Sequence, residues 1–277
     1  MTVSLRRSLA LVALTWATAA MAQDGEPARS AFKVCEDPNN MPFSNTAGEG
    51  IENKLATLFG QALNLPVTYY HFPQRMGFVR NTLRFKLPGQ DYPCDIVMGV
   101  PVGFEQVWAT KPYYRSTYAL VVAEGRGLDG VKTVADFLAL DKARQAKLRI
   151  GLFDRSPASQ WLVKHDLVDQ GVPYKMLDAD PAHYPGELIE KELAAGKIDA
   201  AIVWGPLAGY YVKRASNPKM RLIPMASEPG VRFDYAIAMG VRRGEADWRA
   251  QIEHLIDTKG PEIRAILTEF GVPLVDE

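Results

Sequence analysis

The sequence has few of the residues that most catalytic and metal centres need. It contains two cysteines and four histidines in 277 residues. No two histidines stand three or four positions apart, so no helical pair of metal ligands is present. The nucleophile-elbow, phosphate-loop and zinc-protease motifs are also missing. We therefore expect no metal, no cofactor and no enzyme in this chain.

An excess of either charge is also missing. Lysine plus arginine number 32, and aspartate plus glutamate also number 32. A nucleic-acid-binding protein normally shows a basic excess, so we expect no nucleic-acid partner. Beyond the amino terminus, no apolar run is long enough to span a membrane.

The amino terminus, residues 1–22, has the pattern of a secretory signal peptide. Arg6 and Arg7 precede an uncharged apolar run over 8–20, and Ala20-Met21-Ala22 is a cleavage site. The alternative is an uncleaved membrane anchor, for which the run is shorter than the ~20 residues required. Cleavage removes two arginines and no acid, which leaves 30 basic (32 − 2) and 32 acidic residues.

The two cysteines, Cys35 and Cys94, leave two alternatives open. Export makes a disulfide chemically permissible. If both thiols lay on neighbouring parallel strands in register, they would be too far apart for a bridge, whose Cα atoms are closer than ~7 Å. The other alternative is two buried, inert thiols.

Strands and helices alternate along the chain, which predicts an α/β protein with doubly wound, mostly parallel sheets. The first strand–helix–strand–helix–strand unit has these segments: strand 32–35, a helix from Ile51 to Ala62, strand 66–72, helix 74–85 and strand 95–98. The second repeats the order: strand 148–153, a helix from Ser156, strand 174–177, helix 186–195 and strand 198–204.

Two further strands connect the units. Residues 118–123 lead into the second unit and residues 235–240 lead out of it, before two amphipathic helices. If those helices pack on the first unit, the chain crosses twice and forms a two-strand hinge. We expect lobe 1 to comprise 31–118 plus 238–277, and lobe 2 to comprise 119–237. Ligands of such open sheets bind at the carboxyl ends of the strands, here in a cleft between the lobes.

Several segments resemble family 3, the amino-acid-type periplasmic solute-binding proteins. The segments are 37–44, 48–56, 111–116 and 196–201, and the resemblance covers nearly all of residues 31–272. It implies the two-lobed type II periplasmic binding protein fold.

Longer segments are similar to one subgroup, the J proteins of methanol-oxidation gene clusters (MxaJ and XoxJ). These segments are 35–45, 73–83, 94–101 and 111–118. The resemblance implies a periplasmic partner of a PQQ-dependent quinoprotein methanol dehydrogenase, which helps that enzyme to mature or become active.

The sequence departs from the amino-acid receptors at both ends of their ligand site. Those receptors hold the ligand carboxylate with an arginine before the hinge, yet 99–112 contains none. They commonly hold the ammonium with an acid after the second-lobe strand, where this chain has Trp204. Lysine at 111 is a poor replacement for a bidentate arginine. Free α-amino acids are therefore not the expected ligands.

The candidate contact residues for a ligand or partner follow predicted strand ends and helix starts. Turn stabilisation by Asp and Asn, helix capping by Ser156 and a solvated helix face are the structural alternatives. The polar and turn candidates are Asp37, Asn39, Asn45, Glu52, Arg75, Pro101, Arg115, Arg155, Ser156 and Ser159. The aromatic candidates are Phe43, Phe78, Tyr113, Tyr114, Trp204, Tyr210 and Tyr211.

Three functions fit the sequence. The first is an accessory protein for the dehydrogenase, with a small or peptide ligand in the cleft. The second is an importer-type receptor for a small solute other than a free amino acid. The third is a cleft enzyme that uses Glu36, Asp37 or Glu52 as an acid–base pair.

Overall fold

The computed structural model describes residues 29–74, 77–176, 180 and 182–276. Two predictions lie outside these residues: the signal peptide over 1–22 and the cleft role of Arg75. Within the described part, no helix is both long enough and apolar enough to cross a membrane. The described chain alternates strands and helices, in the order that an α/β sheet protein requires.

Three parallel strands form the sheet of the first half, with the amino-terminal strand in the middle. They are β1 (Phe32–Glu36), β4 (Val67–His71) and β5 (Ile96–Pro101). Val34 lies opposite Tyr69 on one side and Ile96 on the other. Between β1 and the first helix, two-residue strands β2 (Asn39–Asn40) and β3 (Ser44–Asn45) pair as a small hairpin.

Helices cover the first sheet and bury its apolar face. They are α1 (Ile51–Leu63), α2 (Phe78–Asn81), α7 (Ala246–Thr258) and α8 (Gly260–Glu269). The ring of Phe32 packs 6.3 Å from that of Phe59 in α1 and 5.6 Å from that of Trp248 in α7. The last two helices therefore return to the first sheet, although they follow the second unit in the chain.

The second half repeats the arrangement. Its parallel strands are β7 (Ile150–Phe153), β8 (Gly171–Tyr174) and β9 (Ala200–Trp204), and Ile150 lies opposite Gly171 and Ala200. Its helices are α3 (Val134–Leu138), α4 (Lys142–Gln145), α5 (Pro157–Lys164) and α6 (Gly205–Arg214), with a 3₁₀ turn at Val168–Gln170 and a π-helical turn at Leu188–Leu193.

Two strands run between the halves and join their sheets. They are β6 (Trp108–Ala123) and β11 (Asp234–Val241), which pair with each other antiparallel. The later part of β11, from Ile237 to Gly240, also pairs with β5, while the last residues of β6 pair with β9 and with β10 (Met220–Pro224). Among the described residues this gives a nine-stranded sheet in the order β4-β1-β5-β11-β6-β9-β7-β8, with β10 beside β6.

The cysteines form a disulfide, Cys35–Cys94, with the two Cα atoms 5.2 Å apart. A bridge is ruled out only if Cys94 continues the line of its strand. Val97, not Cys94, lies opposite Cys35, and β5 begins only at Ile96. Three more residues of extended strand would move Cys94 about 10 Å along the axis, so the chain before β5 must turn back toward β1.

Several elements differ from the sequence prediction. The helix expected over 74–85 is described only at Phe78–Asn81 and ends at Thr82, whose hydroxyl bonds back to the carbonyl of Phe78. The strand expected over 174–177 lies at Gly171–Tyr174 and contains Pro173. The proline is tolerated there because β8 is an edge strand.

Other elements were not predicted at all. The hairpin of β2 and β3, the short helices α3 and α4, strand β10 and helix α6 have no counterpart in the sequence prediction. Helix α6 starts directly after β9, with Pro206 in its first turn. Gly-Pro after a strand is typical of a turn, but proline is equally at home in the first turn of a helix.

Candidate functional site

A cavity of about 450 Å³ lies between the two halves. The chain just at or after the carboxyl end of every parallel strand contributes to its wall: Asp37, Gln74, Pro101, Phe153, Met176 and Trp204. The strands β6 and β11 close its back with Tyr114, Tyr118, Tyr235 and Ile237. This is where open α/β sheets bind ligands, and the volume is in the range of small-molecule pockets.

Seven of the predicted contact residues line this cavity: Asp37, Asn39, Phe43, Glu52, Pro101, Tyr114 and Trp204. Four of them, Asp37, Asn39, Phe43 and Glu52, come from the stretch of the first half between the end of β1 and the first turn of α1. They are brought together because β1, its hairpin and the start of α1 form one compact turn above the end of the sheet.

Asp37 holds that turn in shape while it lines the cavity. Its carboxylate accepts hydrogen bonds from the backbone N–H of Asn39, at 2.8 Å, and from that of Gln74. Its own carbonyl accepts a bond from the hydroxyl of Ser44 at 2.8 Å. The Asp37 side chain therefore joins the ends of β1 and β4, which is the turn-stabilising role that the sequence left open.

Asn45 does not line the cavity. Its backbone N–H donates to the side-chain oxygen of Asn53, and its side chain exchanges hydrogen bonds with Glu49. Its role in the described structure is to hold the loop that leads into α1.

Glu52 extends from the first turn of α1 into the cavity. Its backbone N–H donates to the carbonyl of Phe43 at 2.8 Å, which fixes the helix start under the hairpin. A Cβ atom at Gly99 would lie 2.5 Å from the Glu52 Oε1, so the glycine leaves room for this carboxyl against β5. Burial, and then the charge of Asp37, raises the pKa of Glu52 to about 7.

A second carboxyl, Glu36, is buried behind the cavity at the end of β1. It is 1% exposed. Its oxygens contact the Nε2 of His71 at 2.9 Å and accept a bond from the Nδ2 of Asn53 at 2.7 Å. Burial, and then the charges of Glu52 and Asp37, raise the pKa of Glu36 to about 8, although the Asn53 bond acts in the opposite direction.

Tyr113 and Tyr114 are neighbours on β6, and their side chains point to opposite faces because side chains alternate along a strand. Tyr114 lines the cavity, whereas Tyr113 donates its hydroxyl to the carbonyl of Met98 at 2.9 Å and packs in the first core. Burial and the neighbouring Glu52 charge raise the pKa of both hydroxyls. Both side chains are therefore neutral hydrogen-bonding groups at ordinary pH.

Three rings form an aromatic wall where β6, β9 and β11 meet. Tyr118 lies 5.5 Å from Trp204 and 6.4 Å from Tyr235, and Trp204 lies 5.9 Å from Tyr235, all measured between ring centroids. The interplanar angles of 60–73° are those of edge-to-face contacts. We call Tyr118, Trp204 and Tyr235 the aromatic wall below.

A loop of the second half meets the first half across the cavity. Met176, Asp180, His183 and Pro185 line the cavity from this loop. The side-chain Nδ2 of Asn39 lies 3.5 Å from the carbonyl of Ala182. His183 is fixed from within its own half, because its Nδ1 lies 2.8 Å from a Glu187 carboxylate oxygen.

The predicted contact residues at the start of α5 lie outside the cavity. Arg155 is exposed and has a positive φ of 58°. Ser156 is the residue before the helix and is buried, and its hydroxyl makes no side-chain capping bond. Ser159 is in the first turn of the helix. Phe153, two residues before Arg155, lines the cavity instead.

Four other predicted contact residues also lie elsewhere. Phe78 packs beside Phe72 in the core under α2. Arg115 forms an ion pair with Asp234 at 2.7 Å, between the two crossing strands. In α6, Tyr210 stacks on Phe270 of α8, and Tyr211 stacks on Tyr184.

Other residues of the cavity wall were not predicted from the sequence: Pro73, Gln74, Gly99, Val100, Tyr118, Phe153, Met176, Asp180, His183, Pro185, Leu207, Tyr235 and Ile237. Those on β6 and β11 could have been found, because a strand that crosses between lobes must pass the cleft. Those in 176–185 belong to a loop without a periodic pattern, and no signal in the sequence marks them.

The cavity has no described arginine or lysine in its wall. In the described part of the chain, no group of three or more His, Cys, Asp or Glu side chains could hold a metal ion. Charged contacts with a ligand are therefore offered by the carboxylates of Asp37, Glu52 and Asp180, and apolar contacts by the aromatic wall.

Comparisons with known proteins agree with this geometry. No protein-family profile matches the chain. It is 34% identical to the periplasmic binding protein XoxJ from Methylobacterium extorquens AM1, over 89% of this chain and 100% of XoxJ, with a TM-score of 0.69. MxaJ from Methlophaga aminisulfidivorans MPT is 26% identical over 88% of this chain and 100% of MxaJ, with a TM-score of 0.70. Protein MoxJ of Methylorubrum extorquens is 28% identical over 94% of this chain and 87% of MoxJ.

More distant structures share the fold alone. An ancestral arginine-binding protein bound to glutamine is 18% identical, with a TM-score of 0.59, over 88% of this chain and 99% of that one. The two-lobed type II fold predicted from the sequence is thereby confirmed, and the resemblance to the J proteins is confirmed by the higher identity to XoxJ. The chain belongs to the family of periplasmic binding proteins that includes XoxJ, MxaJ and MoxJ.

Proposed function

We propose that this protein is an exported periplasmic binding protein that assists a PQQ-dependent methanol dehydrogenase in maturation or activation, and is not itself an enzyme. The lobes, 31–118 plus 238–277 and 119–237, would close over the cavity by bending at β6 and β11. Membership of the XoxJ, MxaJ and MoxJ family supports this role, and so do the signal-peptide pattern over 1–22 and the J-protein segments of the sequence.

The observation that carries the proposal is the chemistry of the cavity wall. An amino-acid receptor needs a cation for the ligand carboxylate, and no described lining residue is an arginine or lysine. The wall instead presents an aromatic surface, and buried Trp and Tyr rings are the side chains that contribute most to protein interfaces. A protein segment fits this wall better than a free amino acid does.

Copurification tests the partnership. Tagged protein, expressed in the periplasm of a host that makes its quinoprotein methanol dehydrogenase, should enrich the dehydrogenase. Trp204→Ala should weaken that enrichment, because the aromatic wall is disrupted. Val168→Ala is the matched control, since Val168 is 56% exposed and lies outside the cavity.

A deletion strain provides the functional test. Without the gene, dehydrogenase activity per unit of dehydrogenase protein should fall, and the gene supplied in trans should restore it. Full activity in the deletion strain, together with no enrichment in the copurification, would defeat the proposal.

The second candidate is an importer-type receptor for a small solute other than a free amino acid. The cavity volume of about 450 Å³ favours it, because this is the size of a small-molecule pocket. A thermal-shift screen separates the two functions. A solute present at 100 times its Kd adds about 2.7 kcal/mol of stability, and one strong hit without dehydrogenase binding would favour the receptor.

A further inference from the structure

Carboxylates are concentrated on one side of the cavity. Asp37 and Glu52 line it, and Glu36 is buried directly behind them. The three are close enough that the charges of Asp37 and Glu52 both act on Glu36, and that of Asp37 acts on Glu52. Asp180 adds a fourth carboxyl from the loop of the second half. Packing like charges in a partly buried space is unfavourable unless a proton or another cation neutralises one of them.

Basic groups near the cavity are engaged elsewhere among the described residues. Arg115 pairs with Asp234, and Lys111 pairs with Asp257. The Arg232 side chain stacks on Tyr235 at 4.9 Å but is not part of the cavity wall. The described wall therefore has three carboxyls and one histidine, His183, whose Nδ1 contacts Glu187, and it has no arginine or lysine.

The aromatic wall favours the same kind of ligand. An aromatic ring carries negative potential on its faces, so a desolvated cation is attracted to a Trp or Tyr ring that lies beside it. Tyr118, Trp204 and Tyr235 meet at steep angles, so a compact group can touch more than one ring. Apolar atoms that surround the charge would be buried against the same rings.

We propose that this cavity binds an organic ammonium cation with a compact apolar body, with its charge toward Glu52 and Asp37 and its body against the aromatic wall. This inference rests on the proposed function, because it names the class of ligand that the same cavity binds. The same chemistry has two sources, a free amine or a lysine side chain of the dehydrogenase.

Three probes of equal size test the charge preference by isothermal titration at pH 8: benzylamine, benzyl alcohol and benzoate. Since the pKa of Glu52 is about 7, this carboxyl is mostly ionised at pH 8. Benzylamine should bind at least tenfold more tightly than benzyl alcohol, and benzoate should not bind. Benzoate that binds as tightly as benzylamine would overturn the proposal.

A substitution tests the residue. Glu52→Gln keeps the shape and removes the charge, so benzylamine should lose about tenfold in affinity while benzyl alcohol is unaffected. Glu105→Gln is the control, because Glu105 is exposed and outside the cavity. Equal benzylamine affinity in both variants contradicts the assignment. Thermal unfolding of each variant shows whether it is folded.

Acetylation of the lysines of the dehydrogenase distinguishes a lysine side chain from a free amine as the source of the ammonium group. If a lysine is the occupant, acetylating the dehydrogenase should abolish its capture and benzylamine should compete with the unmodified enzyme. If a free amine is the occupant, capture should be unchanged by either treatment. Capture of the dehydrogenase without any benzylamine binding overturns only the cation inference, whereas benzylamine binding without capture defeats only the proposed partnership.

Discussion

At the scale of single residues, the buried carboxyl of Glu36 has the largest consequence for stability. Its pKa is raised from about 4.5 to about 8 in the folded protein, so between these values the folded state holds a proton that the unfolded state has lost. Proton binding by the folded state makes stability fall as pH rises through this window. The groups that face it are His71, Asn53, Tyr69, Asp37 and Glu52.

Glu36→Gln should therefore reduce the loss of stability between pH 5 and 8. The amide can still accept from Asn53 and can donate to His71, so the contacts survive without the charge. We expect the variant to gain at least about 1 kcal/mol relative to the native chain over this range, since one pKa unit is worth 1.36 kcal/mol. Urea unfolding at both pH values measures it, and an unchanged pH dependence contradicts it.

A second buried charge, Arg242, holds the chain around the disulfide. It is 8% exposed. Its guanidinium donates to the carbonyls of Leu83 at 3.0 Å and Cys94 at 2.6 Å, and pairs with Asp95 at 2.5 Å. This one side chain joins the end of β11 to the segments that precede β5.

Arg242→Met should destabilise the protein by about 3 kcal/mol or more. The substitution leaves Asp95, which is 4% exposed, without one of its charged partners and two carbonyls without their donor. Arg242→Lys keeps the charge but not the branched set of donors, so its loss should be intermediate. Chemical denaturation of the three proteins gives the order, and equal stability of all three would show that the guanidinium contacts are dispensable.

At the scale of elements, the disulfide ties β1 to the segment before β5. It closes a loop across a sequence separation of 59 residues. Such a cross-link stabilises the folded state mainly by restricting the unfolded chain. Removal of a native disulfide lowers the free energy of unfolding by roughly 2–5 kcal/mol.

The paired substitution Cys35→Ser with Cys94→Ser should lower stability by about 4 kcal/mol, from the loop-length dependence of chain entropy. Urea unfolding with and without reductant measures the effect in the native chain. The double variant is the control and should not respond to reductant. If reductant leaves the native chain unchanged under denaturing conditions, the cross-link contributes no stability.

The contact of α6 with the carboxyl-terminal segment depends on a glycine. A Cβ atom at Gly209 would lie 1.9 Å from the carbonyl oxygen of Gly271. Glycine inside a helix is normally about 1 kcal/mol worse than alanine, so here the close approach accounts for the glycine.

Gly209→Ala should therefore destabilise the protein by about 1–3 kcal/mol. Helix propensity alone would predict the opposite sign, because alanine favours a helix over glycine. Gly260→Ala at the start of α8 is the comparison, because a Cβ atom there meets nothing within 4 Å. Thermal unfolding of the two variants gives the sign, and a stabilised Gly209→Ala protein would contradict the close packing.

At the scale of the whole molecule, β6 makes the two halves depend on each other. This strand has 16 residues and is paired with β11 in the first half and with β9 and β10 in the second. Unfolding either half removes partners from the same strand, so we expect one cooperative transition for both.

Trp248→Ala tests this dependence. Trp248 is 1% exposed in the core of the first half, and its truncation should cost about 3–5 kcal/mol. Hydrogen exchange in β7, in the second half, should accelerate with it. Val168→Ala should change exchange in neither half. Unaltered protection in β7 would show that the halves unfold independently.

The order of strands and helices could be predicted from the sequence because periodicity and β-branched runs are local signals. The fold class and the first strands of each half followed from them. Asp37, Asn39 and Phe43 of the turn at 37–45 line the cavity, and the rule that ligands of open sheets bind beyond the carboxyl ends of strands drew attention to this turn. Elements without a strong local pattern, such as β10 and α6, were missed.

What the sequence by itself determined is the set of buried strands, the paired units and the absence of an arginine in 99–112. Only the tertiary structure decided that Cys35 and Cys94 are joined, that Glu52 lies against Gly99 and that Tyr118, Trp204 and Tyr235 form one wall. These contacts join residues 31 to 117 positions apart. Local propensity carries no information about such distances, because they are set by how the sheets twist and pack.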